Sequence, residues 1–268
     1  DVVDVNKHGN IVVHELKGGI PKEGETVLCI VDSKRREGIT KHHTSTHILN
    51  SSSRNVLGSW VWQHSAFKET DHARLDITHH SALTDEEVAK IEELANAKVK
   101  ENIPVTIQNF DRGTAEQKYG FRIYQGGIVP VKSVRIVSIE DFDVEACGGT
   151  HVKSTKDVNL IKITRTKRIQ DGVVRLEFVS GAAAQEYVKK HEAELEKASA
   201  EQAAKEQRDK QREKRKEQAR EKIPVLLEQI SQASEGKIDE IIVSGGKFYF
   251  TTADQYDEYF HVNFGEKL

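Results

Sequence analysis

The stretch Thr84-Asp85-Glu86-Glu87-Val88-Ala89-Lys90-Ile91-Glu92-Glu93-Leu94-Ala95-Asn96-Ala97-Lys98-Val99-Lys100-Glu101, followed three residues later by Val105-Thr106-Ile107-Gln108-Asn109-Phe110, decides the fold class. Thr84 with Glu87 three positions on is a capping signature, since each side chain can satisfy the other residue's backbone N–H. Val88, Ile91, Leu94 and Val99 recur at helical spacing, which predicts a helix over 84–101. Val105–Phe110 reads as a strand. Working outward, Ala73–Ile77, Val134–Ile139, Leu160–Thr164 and Val173–Val179 are strand-like, and His43–Leu57 reads as a second helix with His47, Ile48 and Val56 facing inward. Helices interleaved irregularly with strands predict an α+β two-layer sandwich over residues 42–182.

The flanks differ in character. Residues 1–41 alternate short apolar runs (Ile11-Val12-Val13, Val27-Leu28-Cys29-Ile30-Val31) with turn signals at His8-Gly9-Asn10 and Lys17-Gly18-Gly19, which predicts a small antiparallel β-barrel or meander. Cys29, within an apolar run, is expected to be a buried inert thiol. Residues 185–222 hold 12 Lys and Arg and 10 Asp and Glu without Gly or Pro. A long charged helix is expected over 183–222, supported by ion pairs one turn apart and lacking coiled-coil heptads. It is read as a solvated connector, with a phosphate-contacting arm as the other possibility. Residues 223–268 resume globular patterning: an amphipathic segment Val225–Ile230, then strands Ile238–Val243, Lys247–Thr251 and Tyr259–Phe264, the first two joined at Ser244-Gly245-Gly246. This last part is expected to be a truncated α/β piece of a further domain.

Across 268 residues, 40 Lys and Arg stand against 43 Asp and Glu, a net charge of −3, so only local basic groups can argue for nucleic-acid binding. Lys34, Arg35, Arg36, Lys162, Arg165, Lys167 and Arg168 are candidates. A mean hydropathy of −0.59, no membrane-length apolar run and two cysteines point to a soluble chain of the reducing cytoplasm. Methionine is absent and residue 1 is Asp, from which an excised piece of a longer protein is expected, with methionines replaced or missing.

Two histidines in His43-Thr44-Ser45-Thr46-His47 share one helix face and can reach one metal ion. About 100 residues on, Cys147-Gly148-Gly149-Thr150-His151 places a thiol and an imidazole at the ends of a turn-permitting Gly pair. Three imidazoles and a thiolate suit tetrahedral Zn²⁺. A protease of the HExxH kind would need Glu where Thr44 stands. The hydroxyls of Thr44, Ser45 and Thr46 could instead grip a polar substrate.

His43-Thr44-Ser45-Thr46-His47-Ile48-Leu49 with Ala146-Cys147-Gly148-Gly149-Thr150-His151-Val152 resembles the editing domain of alanyl-tRNA synthetases and the free-standing AlaX proteins. Ala73-Arg74-Leu75-Asp76-Ile77-Thr78-His79 agrees, and Lys118-Tyr119-Gly120-Phe121-Arg122-Ile123-Tyr124-Gln125-Gly126-Gly127 is similar to the archaeal branch. The resemblance spans residues 1–222, and the last 46 residues resemble the start of the C-terminal domain. It implies hydrolysis of mischarged Ser-tRNA(Ala) and Gly-tRNA(Ala), with tRNA(Ala) as partner. Aminoacylation and its ATP site would belong to an upstream half, and dimerisation to the C-terminal region, so a monomer or weak dimer is expected.

Carried over by position, the resemblance makes His43, His47, Cys147 and His151 the Zn²⁺ ligands, with Thr46 and Gln63 in the catalytic pocket. Ser65, Gly126 and Gly127 are substrate-binding candidates. Gln63 is followed by His64-Ser65-Ala66, whereas bacterial members continue with Lys-Gly-Ser. Zn²⁺ could activate water, hold the substrate's amino group or shape the pocket. Two other readings remain: a zinc-stabilised tRNA-binding or dimerisation fragment without activity, and the editing domain of threonyl-tRNA synthetases. The barrel, the Gly pair and the long helix favour the alanine system over the latter.

Overall fold

The computed structural model describes residues 1–9, 11–127, 131–233, 238–244 and 247–252. The chain divides into two compact units, Asp1–Val188 and Lys189–Leu268.

In the first unit, a four-stranded antiparallel sheet is built from β3 (Gln63–Lys68), β4 (Ala73–Thr78), β8 (Ile161–Gln170) and β9 (Val173–Ser180) in the order β3-β4-β9-β8. Helices α1 (Ser33–Leu57) and α2 (Asp85–Lys100) pack on one face of it. Ala73, Leu75 and Ile77 of β4 and Val174, Leu176 and Phe178 of β9 alternate onto that face, where they meet Ile48 and Leu49 of α1 and Ile91, Ala95 and Val99 of α2. The opposite face carries Asp76, which accepts from Arg175 Nε at 2.8 Å and pairs with Arg74. A second sheet, β5 (Val105–Asp111), β6 (Ser133–Ile139) and β7 (Asp143–Ala146), is capped by α3 (Arg112–Tyr119) over a smaller core of Ala115, Ile123, Tyr124, Val134 and Ile136. This is the expected α+β architecture. Strands β3 and β7 and helix α3 were not foreseen.

The N-terminal barrel is corrected. β1 (Val2–His8) and β2 (Ile11–Leu16) form a two-stranded antiparallel hairpin, and residues 17–32 join no sheet. Among the described residues no second layer covers the apolar faces of these two strands. Consistently, Val5, Val12 and the run Val27–Val31 are exposed, and so is Cys29, which is not the buried thiol expected. The helix expected from His43 begins ten residues earlier at Ser33, because Asp32 caps it by accepting from Arg35 N–H at 3.0 Å. The expected boundary at 41/42 therefore falls inside α1.

Helix α4 (Ala182–Ala233) runs 52 residues and passes through Pro224, so the change of composition at residue 223 does not end the helix. Beyond it, β10 (Ile238–Ser244) pairs with β11 (Lys247–Thr252) as the hairpin pattern predicted. Gly245, Gly246 and the expected strand Tyr259–Phe264 lie outside the described residues. No described helix is long and apolar enough to cross a membrane.

The capping signature that set the fold class is formed: Glu87 N–H donates to Thr84 Oγ1 at 3.2 Å, and Thr84 N–H donates to Glu87 Oε2 at 2.8 Å. Thr84→Ala should therefore destabilise the first unit by about 1 kcal/mol. Urea unfolding checks this as a lower midpoint with an unchanged slope.

Candidate metal centre

Helix α1 presents His43 and His47 one turn apart, and the loop leaving β7 brings Cys147 and His151 to meet them. Cys147 Sγ lies 3.2 Å from His43 Nε2 and 3.4 Å from His151 Nε2, and the four donor atoms all fall within 4.8 Å of one another. With Zn–S near 2.3 Å and Zn–N near 2.05 Å, a tetrahedral ion would set each S···N pair about 3.5 Å apart. The donor set and its spacing fit such an ion.

The Gly pair has an asymmetric purpose. A Cβ on Gly149 would stand 1.8 Å from His43 Cε1 and 2.2 Å from its Nδ1, whereas one on Gly148 would meet nothing within 4 Å. Backbone passes directly over the His43 ring at Gly149, so glycine is required there for close approach.

Neighbouring groups fix the rings. Thr44 Oγ1 donates to Thr40 O and accepts from Val152 N–H, which leaves a lone pair to accept from His151 Nδ1 at 3.2 Å. His47 Nδ1 donates to Asp143 Oδ2 at 3.1 Å, and Asp143 also accepts from Ser51. In both histidines the Nε2 is then turned to the centre, the arrangement that orients metal-ligating imidazoles. Glu145 Oε2 lies 3.2 Å from His47 Nε2, and Glu145 Oε1 accepts from Asn50 Nδ2 at 2.8 Å.

The electrostatics prepare three of the four donors. Burial pushes the Cys147 thiol up, but hydrogen bonds with His151, His43 and His47 and the charge of His47 outweigh it and hold the pKa at about 2. Burial lowers His43, and lowers His151 to about 4, so both are neutral near pH 7. Burial also opposes charge on His47, yet Glu145 and Asp143 raise it well above the ordinary imidazole value. Glu145 itself is lifted to about 7 by burial and by the charge of Asp143. A thiolate and neutral imidazoles are the forms that bind a metal.

Strand β3 sorts the remaining candidates. Gln63 pairs opposite Ile77, and Lys68 opposite Ala73, both on the face toward α1, with a bulge between Gln63 and Ser65. Ser65 pairs opposite Asp76 and its hydroxyl accepts from Arg74 Nη1 at 3.4 Å, on the face turned away from α1. The structure thus does not bring Ser65 to the centre. Thr46 lies next to His47 but is 0% exposed, and its hydroxyl donates to His42 O at 2.8 Å. Gly126 and Gly127 take φ of +74° and +133°, conformations that favour glycine. Their loop lies beside β3, a Cβ on Gly126 coming 3.7 Å from His64 O, and Gln125 just before it accepts from Asn50 Nδ2 at 3.4 Å.

Asp143, Glu145, Asn50 and Lys68 were missed from sequence. Lys68 is held below the usual ammonium range by burial, against the charges of Cys147 and Glu145 that favour its protonated form. Of the basic candidates, Lys162 pairs with Glu92, Arg168 with Asp171 and Arg35 with Glu69.

Comparison with known proteins places this centre in context. The family described as "Threonyl and Alanyl tRNA synthetase second additional domain" matches residues 134–177, which include Cys147 and His151. Over 267 residues, 100% of this chain and 30% of the relative, the chain is 66% identical to alanine–tRNA ligase of Nitrosopumilus maritimus and 59% identical to that of Cenarchaeum symbiosum. It is 48% identical over 188 residues to the Methanopyrus kandleri ligase, covering 70% of this chain and 20% of that one. The chain thus spans about 30% of the length of the first two relatives.

The steric contact at Gly149 gives a test within the motif. Gly149→Ala should weaken metal uptake roughly 10–100-fold, the range seen when groups supporting a ligand are lost. Gly148→Ala should leave it unchanged. Competition against a chromophoric chelator measures both.

Proposed function

We propose, from a chain related over its whole length to archaeal alanine–tRNA ligases, that this centre is a hydrolytic editing site acting in the cytoplasm on tRNA(Ala) wrongly charged with serine or glycine. One observation carries the reading: three imidazoles and a thiolate converge within 4.8 Å, two of them inside the matched domain. A site of this kind answers a physical need. A pocket shaped for alanine rejects glycine, or a serine that only adds a hydroxyl, by roughly 10–200-fold, so a second hydrolytic site must supply the remaining accuracy.

When bound, Zn²⁺ would supply a Lewis acid at the aminoacyl ester. The chain's own groups then divide the work. His43, His47, Cys147 and His151 would hold the ion, with Thr44 and Asp143 fixing the rings of His151 and His47. Gln63, on the α1-facing side of β3, offers an amide to the substrate. Because the hydroxyl hydrogen of Thr46 goes to His42 O, Thr46 meets a serine side chain as an acceptor. Alanine would leave that acceptor unpaired, a penalty of roughly 1–3 kcal/mol. Gly126 and Gly127 let backbone approach the nucleoside end.

Four protein ligands fill a tetrahedral shell, which favours a second reading in which the ion only stabilises an RNA-binding fragment. Incubating the purified chain with Ser-tRNA(Ala) separates the two. Under the editing reading the ester is hydrolysed and Cys147→Ala abolishes this. Thr46→Val should lower the ratio of Ser-tRNA to Ala-tRNA hydrolysis by about one to two powers of ten, and Gln63→Ala should slow hydrolysis, both with metal content unchanged. Hydrolysis absent from the metal-loaded chain would establish the second reading instead.

A further inference from the structure

The link between α1 and β3 carries a tryptophan that is 51% exposed yet held in one place. Trp60 Nε1 donates to His79 Nδ1 at 3.2 Å, and burial keeps His79 below the ordinary imidazole value, in the neutral form that accepts. The indole lies so close over Gly58 that a Cβ there would come within 2.3 Å of the ring. Thr78 Oγ1 donates to Trp60 O at 2.7 Å and accepts from Trp62 N–H at 2.9 Å. Ring and carbonyl are tied down, as is Trp62 two residues on, while about half of the residue remains exposed. Fixing a large exposed aromatic in advance removes the ordering cost of whatever binds it.

Two arginines converge on the same link. Arg54 Nε donates to Val61 O at 3.2 Å, and Arg122 Nη2 donates to Ser59 O at 2.9 Å. The Arg122 guanidinium also stands 5.6 Å from the Trp62 ring centroid, and Phe121 beside it is 64% exposed. Arg54 is turned inward, one of its Nη atoms buried, so the charge this link shows to solvent is that of the exposed Arg122, which favours an anionic partner with flat apolar faces over an apolar protein surface. The patch is linked along the chain to residues around the candidate centre. Trp62 leads directly into Gln63, and Arg122 lies three residues before Gln125, which accepts from Asn50 Nδ2; Asn50 in turn donates to Glu145.

We propose that Trp60 and Arg122 form a nucleotide subsite, in which the exposed indole face stacks on a terminal base of single-stranded RNA and Arg122 takes an adjacent phosphate. The identity of that RNA as the 3′ end of an aminoacyl-tRNA rests on the editing reading; the stacking does not. Base–aromatic stacking tolerates any base and is lost when the ring is removed, whereas a guanidinium contact with phosphate adds salt dependence.

Fluorescence polarisation with a 5′-labelled tetranucleotide ending in CCA tests this directly, beside the same RNA lacking its 3′-terminal base. Trp60→Ala should weaken binding of the intact RNA about tenfold, with Trp60→Phe retaining most of the affinity and the metal content of both unchanged. The abasic RNA should bind the original protein as weakly as the intact RNA binds Trp60→Ala, with no further loss when the two changes are combined. A metal-loaded Trp60→Ala protein that binds intact RNA as tightly as the original overturns the proposal. So does an equal loss for intact and abasic RNA, or a self-association that Trp60→Ala abolishes while RNA affinity stays the same. Since the readout is binding, stacking at Trp60 without deacylation would sink only the editing reading, and deacylation with unchanged RNA binding in Trp60→Ala would sink only the subsite.

Discussion

A helix made largely of polar residues lies buried at the centre of the first unit, and β7 and the Cys147 loop are placed where they meet much of its hydrogen-bonding need. From Thr44 to Ser53 every side chain of α1 is buried, and only Ile48 and Leu49 among them are apolar. Such burial costs roughly 1–3 kcal/mol for each polar group left without a partner. Much of the cost is met within the helix, where Thr44, Ser45 and Thr46 donate to carbonyls four residues back. A further share falls to β7, whose Asp143 and Glu145 accept from His47, Ser51 and Asn50, while Ser52 Oγ, Ser53 Oγ and Asn50 Oδ1 stay buried without a hydrogen-bond partner among the described residues. Small hydroxyl side chains also let strands come close, which brings the Cys147 loop within bonding range of the same helix.

That requirement inverts the usual reading of a strand. In Asp143-Val144-Glu145-Ala146 the acidic residues look solvent-facing and the apolar ones core-facing. Instead Val144 and Ala146 pack on the smaller core, while the carboxylates are buried against α1. A low-dielectric setting strengthens such a network when each member is paired. It also keeps the His47 ring in one orientation, so the same interactions aim one of the four donors at the centre. Strand β3 obeys a related rule, its bulge setting Gln63 and Lys68 on the α1 side and turning Ser65 to the Arg74–Asp76 side.

The two glycines that matter most do so by proximity. Gly149 admits the His43 ring, and Gly58 admits the Trp60 ring. One contact holds a donor of the candidate centre in place, and the other holds an exposed aromatic. In both, a side chain is made rigid by backbone with no Cβ in the way, a device visible only when two distant or differently folded stretches are seen together.

Sequence by itself determined the α+β class, the capped helix 84–101, the strands around Ala73, Val105, Val134 and Val173, and the four residues that meet at the centre. These rest on local signals: caps, 3.6- and 2-residue periods, and donor atoms whose chemistry suits one ion. Tertiary structure alone decided the rest. Whether 1–41 closes into a barrel depends on a covering layer, which the hairpin β1–β2 does not have among the described residues. Whether α4 stops at residue 222 depends on backbone hydrogen bonding that composition does not report. Asp143, Glu145 and Asn50 escaped notice because a buried carboxylate or amide is legible only through its partner, and those partners stand more than 90 positions away along the chain. Local chemistry named the four donors; packing between distant segments decided what orients them.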